Sequence, residues 1–271
     1  SDIKLSKTDA YGNEEWSQIY NFDLEDFVSH FQQTTDGGYI ITGGSFASGG
    51  DDWVLKLLKV DGNGDVEWTN SYDPYYRTSG KGVIQTPDGG YLIAADAFSS
   101  WDYGGFTSKP MLMKTDENGN VEWSRIFHDS IVGASGFDTK IQQTTDGGYI
   151  LGGWFGEVEW YKKYWITKIN SNGDEEWNNH FDMMYAGRVR SIQQTIDGGY
   201  ILTGGGGSGY IIKVDALGQE EWANQFAFNG FHYVQQTSDG GYIIGGEPFM
   251  VYIKTDSDGN APVTGVWIEN N

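Results

Sequence analysis

Carboxylates at fixed spacing are the first residues in this sequence that could do chemistry. Asp-Gly-Gly-Tyr begins at Asp36, Asp88, Asp146, Asp197 and Asp239. A second motif, Asp-x-x-Gly-x-x-x-Trp, runs from Asp9 to Trp16, Asp61 to Trp68, Asp116 to Trp123 and Asp215 to Trp222, and Asn170 opens the copy ending at Trp177. The oxygen-rich run Asp61-Gly62-Asn63-Gly64-Asp65 superficially matches a calcium loop. Val66 follows where such a loop needs Gly, and Tyr11 or Leu217 replaces the middle ligand in sister copies. An Asp capping its own turn explains the motif without metal, so no metal site is assigned and Ca²⁺ is a minor alternative. His30, His128, His180 and His232 share no His-x-x-x-His spacing, which disfavours zinc. With no cysteine, thiolate ligands, disulfides and a Cys nucleophile are excluded.

The two motifs alternate with a period of roughly 42 to 58 residues, the length of one four-stranded propeller blade. One unit reads as strand a at Phe27 to Thr34, a turn at Thr35 to Gly38, and strand b at Tyr39 to Gly44. Strand c follows at Trp53 to Val60, then the Asp61 to Gly64 turn and strand d at Val66 to Tyr72. A sixth copy begins at Asp256 but has Val263 in place of its Trp, and a type I turn closed by a left-handed Gly suits all six c–d copies, because a type I′ turn would need positive φ at Tyr11 and Leu217. Small residues end each strand b (Gly43-Gly44, Ala94-Ala95, Gly152-Gly153, Gly204-Gly205, Gly245-Gly246), which permits close approach near a propeller axis.

The spacing predicts an all-β fold, a five-bladed β-propeller of four-stranded antiparallel blades, with residues 1–271 forming a single domain. Closure is expected by pairing of the termini, the Trp16 strand completing the last blade, whose own d region (Ala261 to Ile268) is degenerate. Composition agrees: Gly is 40 of 271 residues and aromatics are 15%, which suits short strands and tight turns. The net charge of −21, with no cationic run, excludes a phosphate-tracking surface, so neither nucleic acid nor anionic membrane is expected as a partner. No stretch approaches the ~18 apolar residues of a membrane span. Ser1, with no initiator Met or signal-like segment before it, is expected to be a processed start.

The Asp-x-x-Gly-x-x-x-Trp spacing resembles the tryptophan-docking motif of PQQ-like propeller repeats. The fuller Asp-Gly-Gly-Tyr-Ile-Ile…Lys-x-Asp-x-x-Gly-Asn-x-x-x-Trp pattern is similar to repeats of bacterial and archaeal surface proteins. The resemblance covers essentially the whole chain. It implies that Trp16, Trp68, Trp123, Trp177 and Trp222 pack between neighbouring blades with their indole N–H groups bonded to backbone. The quinone cofactor of the dehydrogenases is not implied, because their vicinal disulfide needs cysteines that are absent here.

Strands of alternating direction put the invariant a–b and c–d turns on one rim and the variable b–c and d–a connections on the other. Loops on a rigid scaffold are where binding usually lives. The variable rim carries the candidate ligand-binding residues Tyr76, Arg77, Trp101, Tyr103, Trp154, Trp160, Arg188, Arg190 and His232: aromatics for stacking, cations and His for polar contacts. Burial of these aromatics under their own loops is the competing account. The strand-a starts, seven residues before each turn Asp, are Ser29, Lys81, Thr139, Arg190 and His232. A glycosidase would place paired carboxylates there, but only Asp138 and Asp26 are near in sequence, so no catalytic residue is assigned. The expected function is a non-catalytic extracellular or cell-surface module that binds carbohydrate or a surface protein. A glycan-active hydrolase or lyase and a purely structural surface repeat are the alternatives.

Overall fold

The computed structural model describes residues 2–21, 26–46, 53–73, 77–98, 108–127, 139–158, 161–184, 188–226, 230–247 and 251–261, and they contain strands and turns but no helix. The chain divides into two compact units, Ser1–Ala134 and Ser135–Asn271.

The first unit opens with a hairpin, β1 (Ile3–Thr8) and β2 (Glu14–Tyr20). Two four-stranded antiparallel meanders follow: β3 (Asp26–Gln33), β4 (Tyr39–Phe46), β5 (Trp53–Val60), β6 (Val66–Tyr72), then β7 (Arg77–Gln85), β8 (Tyr91–Phe98), β9 (Ser108–Thr115), β10 (Val121–Ile126). The second unit holds the meanders β11 (Lys140–Gln143), β12 (Tyr149–Val158), β13 (Tyr161–Ile169), β14 (Glu175–Met184) and β15 (Arg188–Gln194), β16 (Tyr200–Gly205), β17 (Gly209–Val214), β18 (Glu220–Phe226). It ends with a three-stranded sheet of β19 (Gly230–Gln236), β20 (Tyr242–Glu247) and β21 (Val251–Thr255).

Both tight turns of each repeat are built alike. Asp61 N–H donates to the Asp65 carbonyl and Gly64 N–H to the Asp61 carbonyl, while Gly64 sits at φ +84°. Glycine at positive φ recurs at Gly12, Gly119, Gly173, Gly218 and Gly259, the turn geometry that the spacing predicts. The Asp61 carboxylate accepts from the backbone N–H groups of Asn63 and Asp65 (2.8 and 2.9 Å), so it caps its own turn.

Each complete sheet is tied by one lysine of its third strand. Lys59 Nζ reaches Asp36 on the first turn (2.9 Å), Glu67 on the fourth strand (2.6 Å) and the Val60 carbonyl (3.2 Å), with its side chain only 3% exposed. Lys114, Lys168 and Lys213 repeat the arrangement with Asp88/Glu122, Asp146/Glu176 and Asp197/Glu221. Burial by itself would lower the Lys59 pKa, but Glu67 and Asp36 more than offset it and raise it. The Thr34 hydroxyl, then Lys59, hold Asp36 down at about 2. Burial opposes ionisation of Asp88 and Asp146, yet Thr86 and Thr144, with Lys114 and Lys168, bring both to about 2.

Adjacent sheets dock through a tryptophan. Trp16 Nε1 donates to the Gly62 carbonyl at 3.0 Å, and its ring lies against Gly64 and edge-on to Tyr39. Trp68 against Gly119 and Tyr91 repeats this in the first unit. In the second unit Trp177 meets Gly218 and Tyr200, and Trp222 meets Gly259 and Tyr242. Trp16, Trp68, Trp177 and Trp222 are half-buried rather than enclosed, because each ring covers a turn at the rim, and Trp123 is half-buried as well. Apolar cores fill the spaces behind them, such as Ile40, Leu57, Val83 and Ile93 in the first unit and Ile150, Ile166, Val189 and Leu202 in the second.

The expected pairing of the Trp16 strand with the last repeat is not formed among the described strands: β2 pairs with β1, and β21 with β20 alone. The N-terminal hairpin supplies its own third-strand equivalent, and Lys7 takes the partner of β2, Glu15, at 2.6 Å. The degenerate C-terminal d region lies outside the described residues beyond Ala261.

Two outcomes follow from this packing. Trp68→Ala and Trp177→Ala should each cost about 2–4 kcal/mol, below the cost for a fully enclosed Trp because the rings are half-buried. Tyr11→Ala, at a turn tip, should stay within about 0.5 kcal/mol; urea denaturation followed by circular dichroism distinguishes them. The depressed Asp36, Asp88 and Asp146 add stability above the ordinary carboxylate range, which is lost as pH falls from about 4 through about 2. The raised Lys59 and Lys213 contribute below about pH 10.5 and lose their contribution above it. The urea midpoint should therefore be nearly flat between about pH 5 and 9, and Lys59→Met should move its acid fall to higher pH as Asp36 relaxes toward its ordinary value.

Candidate functional site

One position of the first strand carries a different residue in each repeat. The β3–β4 register slips between Val28 and His30, leaving Ser29 as an extra residue. The same slip isolates Lys81 in β7, Arg190 in β15 and His232 in β19. These are the positions seven residues before the turn Asp, so the sequence located them, but it did not show that they are β-bulges. A bulge bends its strand and re-aims a side chain, which is why bulges recur beside functional sites.

The bulge also explains the small residues on the second strand. A Cβ on Gly43 would collide with the Phe27 carbonyl, on Gly204 with that of Arg188, and on Gly246 with that of Gly230. Close approach is therefore needed as expected, but its cause is the kinked neighbouring strand.

In the first unit, Lys81 Nζ lies 3.8 Å from Asp96 Oδ2, and the Asp96 side chain is only 4% exposed. Ser79, directly opposite Asp96 in the register, is buried, and its hydroxyl has no hydrogen-bond partner among the described residues. Asp96 is a chemically relevant residue missed at the sequence level. Its signal was an acid inside an otherwise apolar second strand, Tyr91–Phe98. Asp26, flagged from its sequence position, is buried at the start of β3 opposite Ser45. Arg77 is partly buried where β7 begins.

In the second unit, Arg190 and His232 are partly exposed on their bulges and Arg188 is exposed at the start of β15. Trp154 requires a correction. It belongs to the core with Tyr164, Phe181 and Val189, and is 6% exposed. The Arg188 guanidinium lies over its ring at 5.8 Å from the centroid. Its face is thus taken by packing and by Arg188, and no ligand can stack on it. Beside them the Tyr164 hydroxyl is fully buried without a hydrogen-bond partner among the described residues. Burial pushes its pKa well above the ordinary phenol range, and the Arg190 charge opposes that rise. Tyr76, Trp101, Tyr103 and Trp160 lie outside the described residues.

A cleft of about 680 Å³ opens in the second unit on the opposite, tight-turn rim, lined by Asp197, Lys213, Glu221, Trp222, Asp239 and Asp258 among others. Its charged groups are largely those that already neutralise one another around Lys213 and Lys254. It is the groove left where one sheet docks on the next. No group of three or more His, Asp or Glu side chains among the described residues is arranged to hold a metal ion.

No family model matches the sequence, and no curated protein matches it. Solved structures resemble it in fold. A protein of unknown function from Bacteroides caccae superposes with a TM-score of 0.55 at 12% identity, over 93% of this chain and 85% of its own. The Dos1 propeller gives a TM-score of 0.61 at 12% identity, over 96% of this chain and 62% of its own. A protein of unknown function from Dyadobacter fermentans gives 0.52 at 12% identity, over 85% and 72%. At such identity the likeness is one of fold, and the all-β repeat architecture is that of β-propeller proteins.

Proposed function

We propose that this chain is a non-catalytic recognition module, acting outside the cell or on its surface, that binds carbohydrate or a surface protein bearing carboxylate groups. The observation that carries the reading is the recurrent first-strand bulge. One backbone feature repeats at one position and presents a different side chain each time, Ser29, Lys81, Arg190 and His232, while the turns of the other rim scarcely vary. Conserved geometry with variable chemistry is what a binding edge on a rigid scaffold requires. A cation at this position in each unit, Lys81 in the first and Arg190 in the second, in a chain of net charge −21, favours an anionic ligand group, which Arg can hold bidentately. Arg77 and Arg188 stand at the starts of β7 and β15, a few residues from the bulges of the same strands.

The repeats are read as five propeller blades of the tryptophan-docking kind, supported by the Trp16 Nε1–Gly62 bond and the like placement of Trp68, Trp177 and Trp222. The surface location rests on the resemblance of the Asp-Gly-Gly-Tyr-Ile-Ile repeats to those of surface proteins.

The test is an array of uronate-bearing and neutral oligosaccharides probed with the wild type, Arg190→Ala and Lys81→Ala. Uronate binding should weaken by about tenfold or more in each variant, the loss of one charge-assisted hydrogen bond, and should fall as salt rises. Equal binding of neutral glycans, or variants that bind like the wild type, would count against the bulge as the site. Absence of any glycan binding would favour a surface-protein partner or a purely structural repeat.

A further inference from the structure

The third-strand lysines show what an ammonium group needs in this fold. Lys59, Lys114, Lys168 and Lys213 each reach two carboxylates and a backbone carbonyl. Lys81, on the β7 bulge, is placed differently. Among the described residues its ammonium meets one carboxylate, Asp96, at 3.8 Å, well beyond the roughly 2.8 Å of a charge-assisted hydrogen bond. Lys81 is also the open member of the pair, its side chain 24% exposed against 4% for Asp96.

A second donor stands beside this pair. Ser79 lies directly opposite Asp96 in the β7–β8 register, and cross-strand partners share a face of their sheet. The Ser79 hydroxyl is buried and has no hydrogen-bond partner among the described residues. An ammonium with donors to spare and a hydroxyl with its bonds unmade therefore flank one fixed negative charge.

The second unit builds the same place without that charge. Arg188 and Gly205 pair there as Ser79 and Asp96 do, each pair two residues before its bulge. Arg190 thus has Gly205, with no side chain, where Lys81 has Asp96. A guanidinium by itself attracts any anion, and attracts it more strongly as its charge grows. Lys81 beside a buried carboxylate has no net charge to offer. It can still take one more carboxylate, as Lys59 holds two at 2.9 and 2.6 Å. A phosphate monoester, with nearly two negative charges, is repelled by Asp96 beyond what Lys81 offsets.

We infer that Asp96 is a specificity-determining residue that restricts the first-unit bulge to a carboxylate group, held by Lys81 and the Ser79 hydroxyl, and turns phosphate away. Arg190, lacking such a neighbour, accepts both. The inference rests on the reading of the bulge as a carbohydrate-binding position, and it narrows the ligand of the first unit to a sugar acid rather than a sugar phosphate. Lys81 and Ser79 touch the ligand, while Asp96 acts through its charge and by fixing Lys81.

Glucuronate and glucose-6-phosphate differ only in the group on their last carbon, so calorimetric titration of the full chain with each is the test. Arg190→Ala removes the cation of the second unit and leaves Lys81 to be read. That chain should bind glucuronate about tenfold or more tighter than glucose-6-phosphate, the worth of one like-charge contact near the surface. Adding Asp96→Asn, which keeps the shape and removes the charge, should reverse the order by raising phosphate affinity about tenfold. Adding Ser79→Ala should weaken glucuronate by about fivefold, one hydrogen bond, and leave Asp96 to exclude phosphate as before. A chain with Arg190 intact and Lys81→Ala should bind both sugars. Damage to the fold weakens both ligands together, so a reversal cannot come from it. The Arg190→Ala comparison needs no change at Asp96, and it decides the matter even where Asp96→Asn unfolds. Equal binding of the two sugars by the Arg190→Ala chain, or an order unchanged by Asp96→Asn in a folded chain, overturns the role of Asp96 and leaves the bulge as a binding position. Glucuronate that the wild type does not bind, or binds equally well without Lys81 and Arg190, overturns the bulge reading itself, and the role of Asp96 falls with it.

Discussion

One buried ammonium organises each complete repeat. A lysine side chain that is 3% exposed, as at Lys59, is tolerable only if its charge is met on several sides, because an unpaired buried charge costs several kcal/mol. The Asp-Gly-Gly turn delivers one carboxylate, the fourth strand delivers another, and the adjacent carbonyl supplies the third contact. The glutamate that closes this cluster precedes the docking tryptophan by one residue, where the register slips between Lys59 and Val60: Trp68 stands opposite Lys59 and Glu67 is the extra residue beside it. Tying a sheet and docking it to its neighbour are therefore tasks of two consecutive residues. In the last repeat the sequence has Pro262 at the spacing that gives Glu67 from Lys59, and Lys254, paired with Asp239, stands exposed.

This division of labour leaves the two rims unlike. On the turn rim almost every polar group is spoken for: aspartates cap their own turns, lysines neutralise carboxylates, and tryptophans cover glycines. Substitution there disturbs several contacts together, so the residues scarcely vary between repeats. At the other end of the first strand, the bulge detaches one residue from the ladder. Its backbone geometry is held by the neighbouring pairs, and Ser, Lys, Arg and His occupy it in different repeats, which is the basis for proposing recognition there.

Much of the architecture was legible in one dimension because its determinants are local. Strand alternation, the glycine at positive φ and the aspartate cap act within a few residues, so the turn type and four strands of a repeat follow from spacing alone. The position of the bulge was legible too, as the variable residue seven before each turn Asp, though not as a bulge, since a register slip is a relation between two strands. Other features belong to tertiary structure. Trp154 reads as an exposed stacking residue by its loop-like neighbours, yet the sheet bearing Tyr164 and the strand bearing Val189 enclose it. Asp96 looks like an isolated acid until Lys81 and Ser79 are brought beside it. The partner of the Trp16 strand could not be read either, because β1 and β21 carry the same lysine-bearing third-strand pattern. Only packing decides which of two like sequences fills an edge, and here the nearer one, joined by a five-residue turn from Asp9 to Asn13, holds it.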